Sequence, residues 1–136
     1  MQIKTYKGKR IEKQHFFFIQ SKGNNSGKPL DQPIANCYLV ITETKEERDF
    51  YYWLCYGLWQ AKKFQPVLCG SVVSFIRIHD LKAILSEAEQ KVREQPQKFE
   101  KALKTLIKVN QCYDDAKKQL SLLNQAKTLL MFEVLK

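Results

Sequence analysis

The sequence predicts an α+β fold, and three observations carry that expectation. Two short apolar runs, residues 15–20 and 37–42, have the length and composition of strands. The stretch Val72-Val73-Ser74-Phe75-Ile76-Arg77-Ile78 alternates as a half-buried strand does. From Asp80 onward the apolar residues recur every three or four positions, the period of a helix. The expected architecture is a small mixed β-sheet packed on an aromatic-rich helix, followed by a long C-terminal helical hairpin. With 136 residues the chain fits a single domain, 1–136, in which 1–80 form the sheet portion and 81–136 the helical hairpin portion.

Residues 1–13 are basic and weakly patterned, with Lys4, Lys7, Lys9, Arg10 and Lys13, and fit an edge strand or a mobile arm. His15-Phe16-Phe17-Phe18-Ile19-Gln20 is apolar without alternation, which suits a strand buried on both faces. Residues 21–36 hold two glycines, three asparagines and two prolines and read as a long loop. Cys37 to Thr42 form the second strand. Thr44 precedes Glu47 by three residues, the spacing of a capping box, and opens a helix over 45–62. Phe50, Trp53, Leu54, Gly57, Leu58 and Ala61 recur at helical spacing as its buried face, with Gly57 expected to admit a close neighbour.

Gly70-Ser71 reads as a turn into the 72–78 strand. Val72, Ser74, Ile76 and Ile78 would share one face, and Arg77 would lie on the less buried one. Asp80 then caps a helix reaching about Gln95, with the stripe Leu81, Ile84, Leu85, Ala88 and Val92, until Pro96 interrupts it. No glycine or proline occurs from Gln97 to Lys136, and the stripe runs from Phe99 through Leu106, Tyr113 and Leu120 to Leu123. As one helix this segment would approach 60 Å at ~1.5 Å per residue. It either breaks near Cys112-Tyr113-Asp114-Asp115 or pairs as a coiled coil.

The chain carries 23 basic and 14 acidic residues, a formal net charge of +9. Residues 1–36 contribute seven basic and two acidic groups, so a basic N-terminal third is available to a polyanion such as DNA or RNA. No run of ~18 apolar residues offers a membrane span. The N-terminus shows no signal-peptide pattern, which leaves a cytoplasmic expectation. Cys37, Cys55, Cys69 and Cys112 are irregularly spaced without a C-x-x-C pair, so buried reduced thiols are expected and no metal site or cofactor.

Enzymatic signatures are sparse. Lys22-Gly23-Asn24-Asn25-Ser26-Gly27-Lys28 suggests a phosphate loop, yet three residues separate its glycines instead of four and Pro29 replaces the Mg²⁺-binding hydroxyl. Its glycines and asparagines can still turn successive N–H groups toward an anion. His15 and His79 lie at strand ends, and no G-x-S-x-G occurs. The aromatic residues between Phe50 and Trp59 could stack bases, though helical spacing favours packing. The sequence leans toward a non-enzymatic accessory protein that contacts nucleic acid through Lys22, Asn24, Asn25, Lys28, Lys62, Lys63 and Arg77. The alternative is a protein-interaction module or homodimer acting through residues 97–136.

Three blocks carry a resemblance: Phe17 to Leu30, Phe50 to Trp59, and Gly70 to Ile78. In these the chain resembles a family of short uncharacterised proteins of gut bacteria, often associated with mobile elements. That resemblance implies no known activity. Residues 37–100 also resemble, more weakly, the end of a target-recognition domain of type I restriction specificity subunits. There a DNA-reading unit precedes a long helix, which implies DNA contact. Ala83-Ile84-Leu85-Ser86 stands where those subunits carry a proline-rich motif, and no base-reading residue is carried over.

Overall fold

The computed structural model describes all residues from Met1 to Lys136. The element order is β1 (Gln2–Thr5), β2 (Phe16–Gln20), β3 (Pro29–Leu30), β4 (Cys37–Ile41), α1 (Lys45–Gln60), α2 (Ile78–Glu94) and α3 (Pro96–Val134). A short 3₁₀ turn, Gln65–Val67, lies between α1 and α2. The chain divides into two compact units, Met1–Glu94 and Gln95–Lys136.

In the first unit the fold is α+β, with a four-stranded sheet in the order β1-β4-β2-β3. All three pairings are antiparallel. The basic N-terminus supplies the edge strand β1. The sheet differs from expectation in its fourth member. That place is taken by the dipeptide Pro29–Leu30, paired with Ile19 and Phe18, and not by residues 72–78.

Period-2 alternation sorts the sheet into two faces. Phe17, Val40 and Ile3 align across the strands on one face, all buried. This face meets α1, where the Phe17 and Tyr52 rings pack edge-on at 5.5 Å. The other face gathers Phe18, Cys37 and Leu39, covered by Tyr6 and Ile11 from the segment after β1. Burial on both faces explains why β2 is apolar without alternation.

The capping box at α1 forms as expected. Thr44 Oγ1 accepts the Glu47 N–H at 3.1 Å, and Glu47 Oε2 accepts the Glu43 N–H at 2.9 Å. The buried face of α1 is shifted by one position from the expected one: Tyr51, Leu54 and Cys55 are buried, and Ala61 is exposed. Gly57 does not admit a close neighbour, since a Cβ there would meet nothing within 4 Å.

Residues 72–78 are a correction. They form no strand: Cys69 and Phe75 exchange both backbone hydrogen bonds at 2.9 Å and close a loop over residues 70–74. Val72 is 95% exposed and Val73 56% at its tip. Gly70 makes the turn possible, because its φ is +98° and a Cβ would sit 2.3 Å from the Val73 carbonyl oxygen. Helix α2 starts at Ile78, so Asp80 lies within its first turn and does not precede it as a cap. Leu81 and Leu85 are the buried part of its stripe.

The second unit is α3 alone, 39 unbroken residues beginning with Pro96 at its first turn. The break considered near Cys112–Asp115 does not occur. Every residue from Gln111 to Lys136 is exposed. No helix of the chain is long and apolar enough to cross a membrane.

Candidate functional site

Three segments without a single carboxylate, residues 21–30, 61–63 and 69–77, are drawn together in the first unit. The 21–28 segment is a tight connection and not an open loop. Gln20 N–H donates to the Lys28 carbonyl at 2.9 Å, and Gly27 N–H to the Gln20 carbonyl at 2.8 Å. Ser26 is fully buried, and its hydroxyl donates to the Gly23 carbonyl at 2.7 Å and reaches the Ser21 carbonyl at 3.2 Å. The N–H groups of Gly23, Ser26, Gly27 and Lys28 all donate to backbone carbonyls. These four N–H groups are therefore committed within the chain and are not offered to an anion.

The same segment is pinned to the 69–76 loop. Gly23 N–H donates to the Ser74 carbonyl at 2.7 Å and Ile76 N–H to the Ser21 carbonyl at 2.9 Å, while Lys22 bridges Phe75. Tyr38 fastens this loop to the sheet, its hydroxyl donating to the Ile76 carbonyl at 2.7 Å, and burial raises its pKa. Phe64, also fully buried, lies against Gly27 and anchors the turn that carries Lys62 and Lys63. Gln65 Nε2 reaches the Asn24 carbonyl at 3.5 Å.

This arrangement brings together the segments that carry the sequence-derived residues. Lys22, Asn24, Asn25, Lys62, Lys63 and Arg77 are exposed around the joint, and Lys28 is half-buried with its ammonium 4.9 Å from the Trp59 ring centre. Arg77 is partly committed, since its Nε donates to Asp80 at 2.9 Å and that bond raises its pKa. His79 Nε2 lies 3.2 Å from the other oxygen of Asp80, and the Cys69 thiol approaches the Val67 carbonyl at 3.6 Å. Cys69 and His79 are thus each engaged elsewhere and form no Cys–His pair.

Lys62 occupies an unusual backbone position. Its φ is +57°. The Lys63 N–H donates to the Leu58 carbonyl at 2.9 Å and the Lys62 N–H to Trp59 at 3.0 Å, which is a Schellman end to α1. Glycine is the usual residue there, and an L side chain costs about 1 kcal/mol in this region. Lysine places a cation at the helix C-terminus, where the dipole is negative, and offsets part of that cost.

Beside the joint runs a ladder of rings along α1. Tyr52–Trp53, Trp53–Tyr56 and Tyr56–Trp59 follow one another at 5.5, 5.4 and 5.7 Å, all half-buried. Arg48 stands 4.8 Å from the Tyr52 ring centre at one end and Lys28 over Trp59 at the other. A further basic surface was not resolved by sequence reasoning. Lys4, Lys7, Lys9, Arg10 and Lys13 rim an open cleft floored by Tyr6, Ile11, Leu39 and Ile41. The charge is visible in the first 13 residues, but half of the apolar floor, Leu39 and Ile41, comes from β4, far along the chain.

The cysteines are all free. Cys37 and Cys55 are buried, and burial pushes both thiols up in pKa, which keeps them protonated. Cys69 is half-buried. Cys112 departs from the expected burial and is exposed on α3. No three His, Cys, Asp or Glu side chains come together as metal ligands.

Comparison with known families matches residues 3–133 to a family of unknown function (DUF6943). The chain belongs to that family. No curated protein and no solved structure matches it. The family match carries neither a mobile-element association nor a link to restriction specificity subunits, and the strand at 72–78 on which the latter likeness leaned is absent.

Proposed function

We propose that this family member is a non-enzymatic accessory protein that contacts nucleic acid through the joint between the 21–28, 61–63 and 69–77 segments. One observation supports the reading above others: backbone pairing of Lys22 with Phe75 and of Gly23 with Ser74, together with packing of Phe64 on Gly27, joins three distant stretches that carry cations and no carboxylate of their own. Lys22, Lys62 and Lys63 neutralise phosphates there, with Asn24 and Asn25 as hydrogen-bonding groups and Arg77 shared with Asp80. The adjoining ladder from Tyr52 to Trp59, half-buried, suits single strands, whose unpaired bases stack on aromatic side chains.

The test is fluorescence polarisation with labelled single- and double-stranded DNA and RNA across a salt series. Binding weakens steeply with salt, and Lys22→Glu reduces both the affinity and the salt slope. Lys62→Gly separates function from folding. Relief of the positive φ raises the unfolding midpoint slightly, while the lost cation weakens binding. Absence of binding to every probe at low salt overturns the reading, as does a Lys62→Gly protein that binds as tightly as the unaltered chain.

A further inference from the structure

Helix α3 carries an apolar pattern that its own unit leaves unpaired. Counting Phe99 as the first position of a heptad, the same position returns at Leu106, Tyr113, Leu120, Lys127 and Val134. The fourth position returns at Ala102, Val109, Ala116, Leu123 and Leu130. Ten of these eleven residues are apolar, and the repeat holds without a stutter along a helix that itself holds without a break. A strict seven-residue repeat is the pattern of a left-handed coiled coil, because it keeps one seam facing a partner helix. The seam is open to solvent from Val109 onward: Tyr113, Leu120, Leu123, Leu130 and Val134 are each at least 60% exposed. A lone helix of this kind gains nothing from its apolar side chains, and helices in water draw most of their stability from packing such a face.

We propose that residues 109–134 of α3 pair with the same residues of a second copy of this chain as an antiparallel coiled coil. The choice of a second copy rests on self-complementarity. Antiparallel pairing about a dyad between Ser121 and Leu122 sets Leu120 against Leu123 of the other copy, Tyr113 against Leu130, and Val109 against Val134. It also sets Lys127 against Ala116, so the one polar seam residue meets the smallest one and its stem lies over a methyl group. A parallel, in-register pair would instead bring Lys127 against Lys127 at the seam, a like-charge contact in its least hydrated part. Positions flanking the antiparallel seam are Asn110, Lys117, Asn124 and Met131 on one side and Cys112, Gln119, Ala126 and Glu133 on the other, which leaves no two like charges opposed. An overlap of this length buries on the order of 1,200 Å², the lower end of the range for specific interfaces. The seam uses none of the half-buried positions Phe99, Leu103, Leu106 and Asn110.

Light scattering after size exclusion of the full chain tests the proposal. The expected mass is twice the 16.0 kDa of the chain. Leu120→Lys with Leu123→Lys returns it to one chain mass, with the near-ultraviolet spectrum of Trp53 and Trp59 unchanged as evidence that the first unit stays folded. Orientation is read by oxidation followed by peptide mapping. In the antiparallel register Cys112 lies beside Glu133 of the other copy, so Glu133→Cys yields a crosslink to Cys112, whereas the two sites are about 31 Å apart on one helix. A single-chain mass at high concentration overturns the proposal, and so does a dimer untouched by the double substitution. A Cys112–Cys112 crosslink in the unaltered chain overturns the antiparallel register.

Discussion

Gly27 lies against the ring of Phe64 so closely that a Cβ at position 27 would fall 2.2 Å from Phe64 Cδ2. The two residues are 37 positions apart in sequence, and their contact holds the turn after α1 onto the connection between β2 and β3. Gly27 also has a φ of +96°, a conformation that side chains other than glycine rarely adopt. Both constraints act on one atom. Gly27→Ala is therefore expected to destabilise the first unit by about 2 kcal/mol or more, from backbone strain together with overpacking. Urea denaturation followed by tryptophan fluorescence measures it. Combining Gly27→Ala with Phe64→Leu is expected to cost less than the sum of the two single changes, because the smaller side chain relieves the clash. Strict additivity would mean that the two residues are not coupled.

Val72 is expected to tolerate charge. A buried strand position would lose several kcal/mol on Val→Asp, through an unpaired buried carboxylate. At the tip of the 70–74 loop, with 95% of the side chain in water, Val72→Asp changes stability by no more than ~0.5 kcal/mol. Ile76, fully buried only four residues later, supplies the contrast. Ile76→Asp is expected to prevent folding of the first unit. Equal tolerance at both positions would contradict the loop.

Tyr51 gives the first unit an alkaline limit. Its pKa is pushed up from 10.0 to about 12, first by burial and then by its hydrogen bond to, and the charge of, Glu89 on α2. The folded state thus holds the phenolic proton more tightly than the unfolded chain. The stability this confers is complete below pH 10, where both states are protonated. It falls as pH rises between 10 and about 12, where the unfolded chain ionises first. Tyr51→Phe is expected to flatten the decline in urea midpoint across that window and to cost about 1 kcal/mol at neutral pH through the lost hydrogen bond. An unchanged alkaline profile would place the decline on other groups.

Much of the fold is legible residue by residue where the signal is local. The Thr44–Glu47 spacing marks the start of α1 because a capping box is closed within one helical turn. Pro96 marks the start of α3 because its missing N–H costs nothing there. The strands at Phe16–Gln20 and Cys37–Ile41 are legible because burial on both faces leaves an apolar run. The stretch 72–78 misleads for a definite reason. Its alternation matches a strand, but Gly70 turns the chain back on itself and spends the pairing capacity of Cys69 and Phe75 on each other. The edge position on β2 goes to Pro29–Leu30, a dipeptide too short to carry any period. Aromatic residues occupy nearly every side of α1, so periodicity alone does not choose between Phe50 and Tyr51 as the start of its buried face.

The sequence by itself determined the α+β class, both central strands, the capped aromatic helix and the helical character of the C-terminal segment, since each follows from hydrogen bonding and burial within a few turns of chain; that residues 96–134 run as one unbroken helix was decided by the structure. The sequence also supplied the cations. Tertiary structure alone decided that the segments carrying Lys22, Lys62 and Arg77 meet, because hydrogen bonds between Gly23 and Ser74, and packing of Gly27 on Phe64, join positions that sequence separates by 37 to 51 residues. Such contacts leave no periodic trace. They depend on which backbone groups remain unpaired once the sheet has formed, and that is settled only when the whole unit folds.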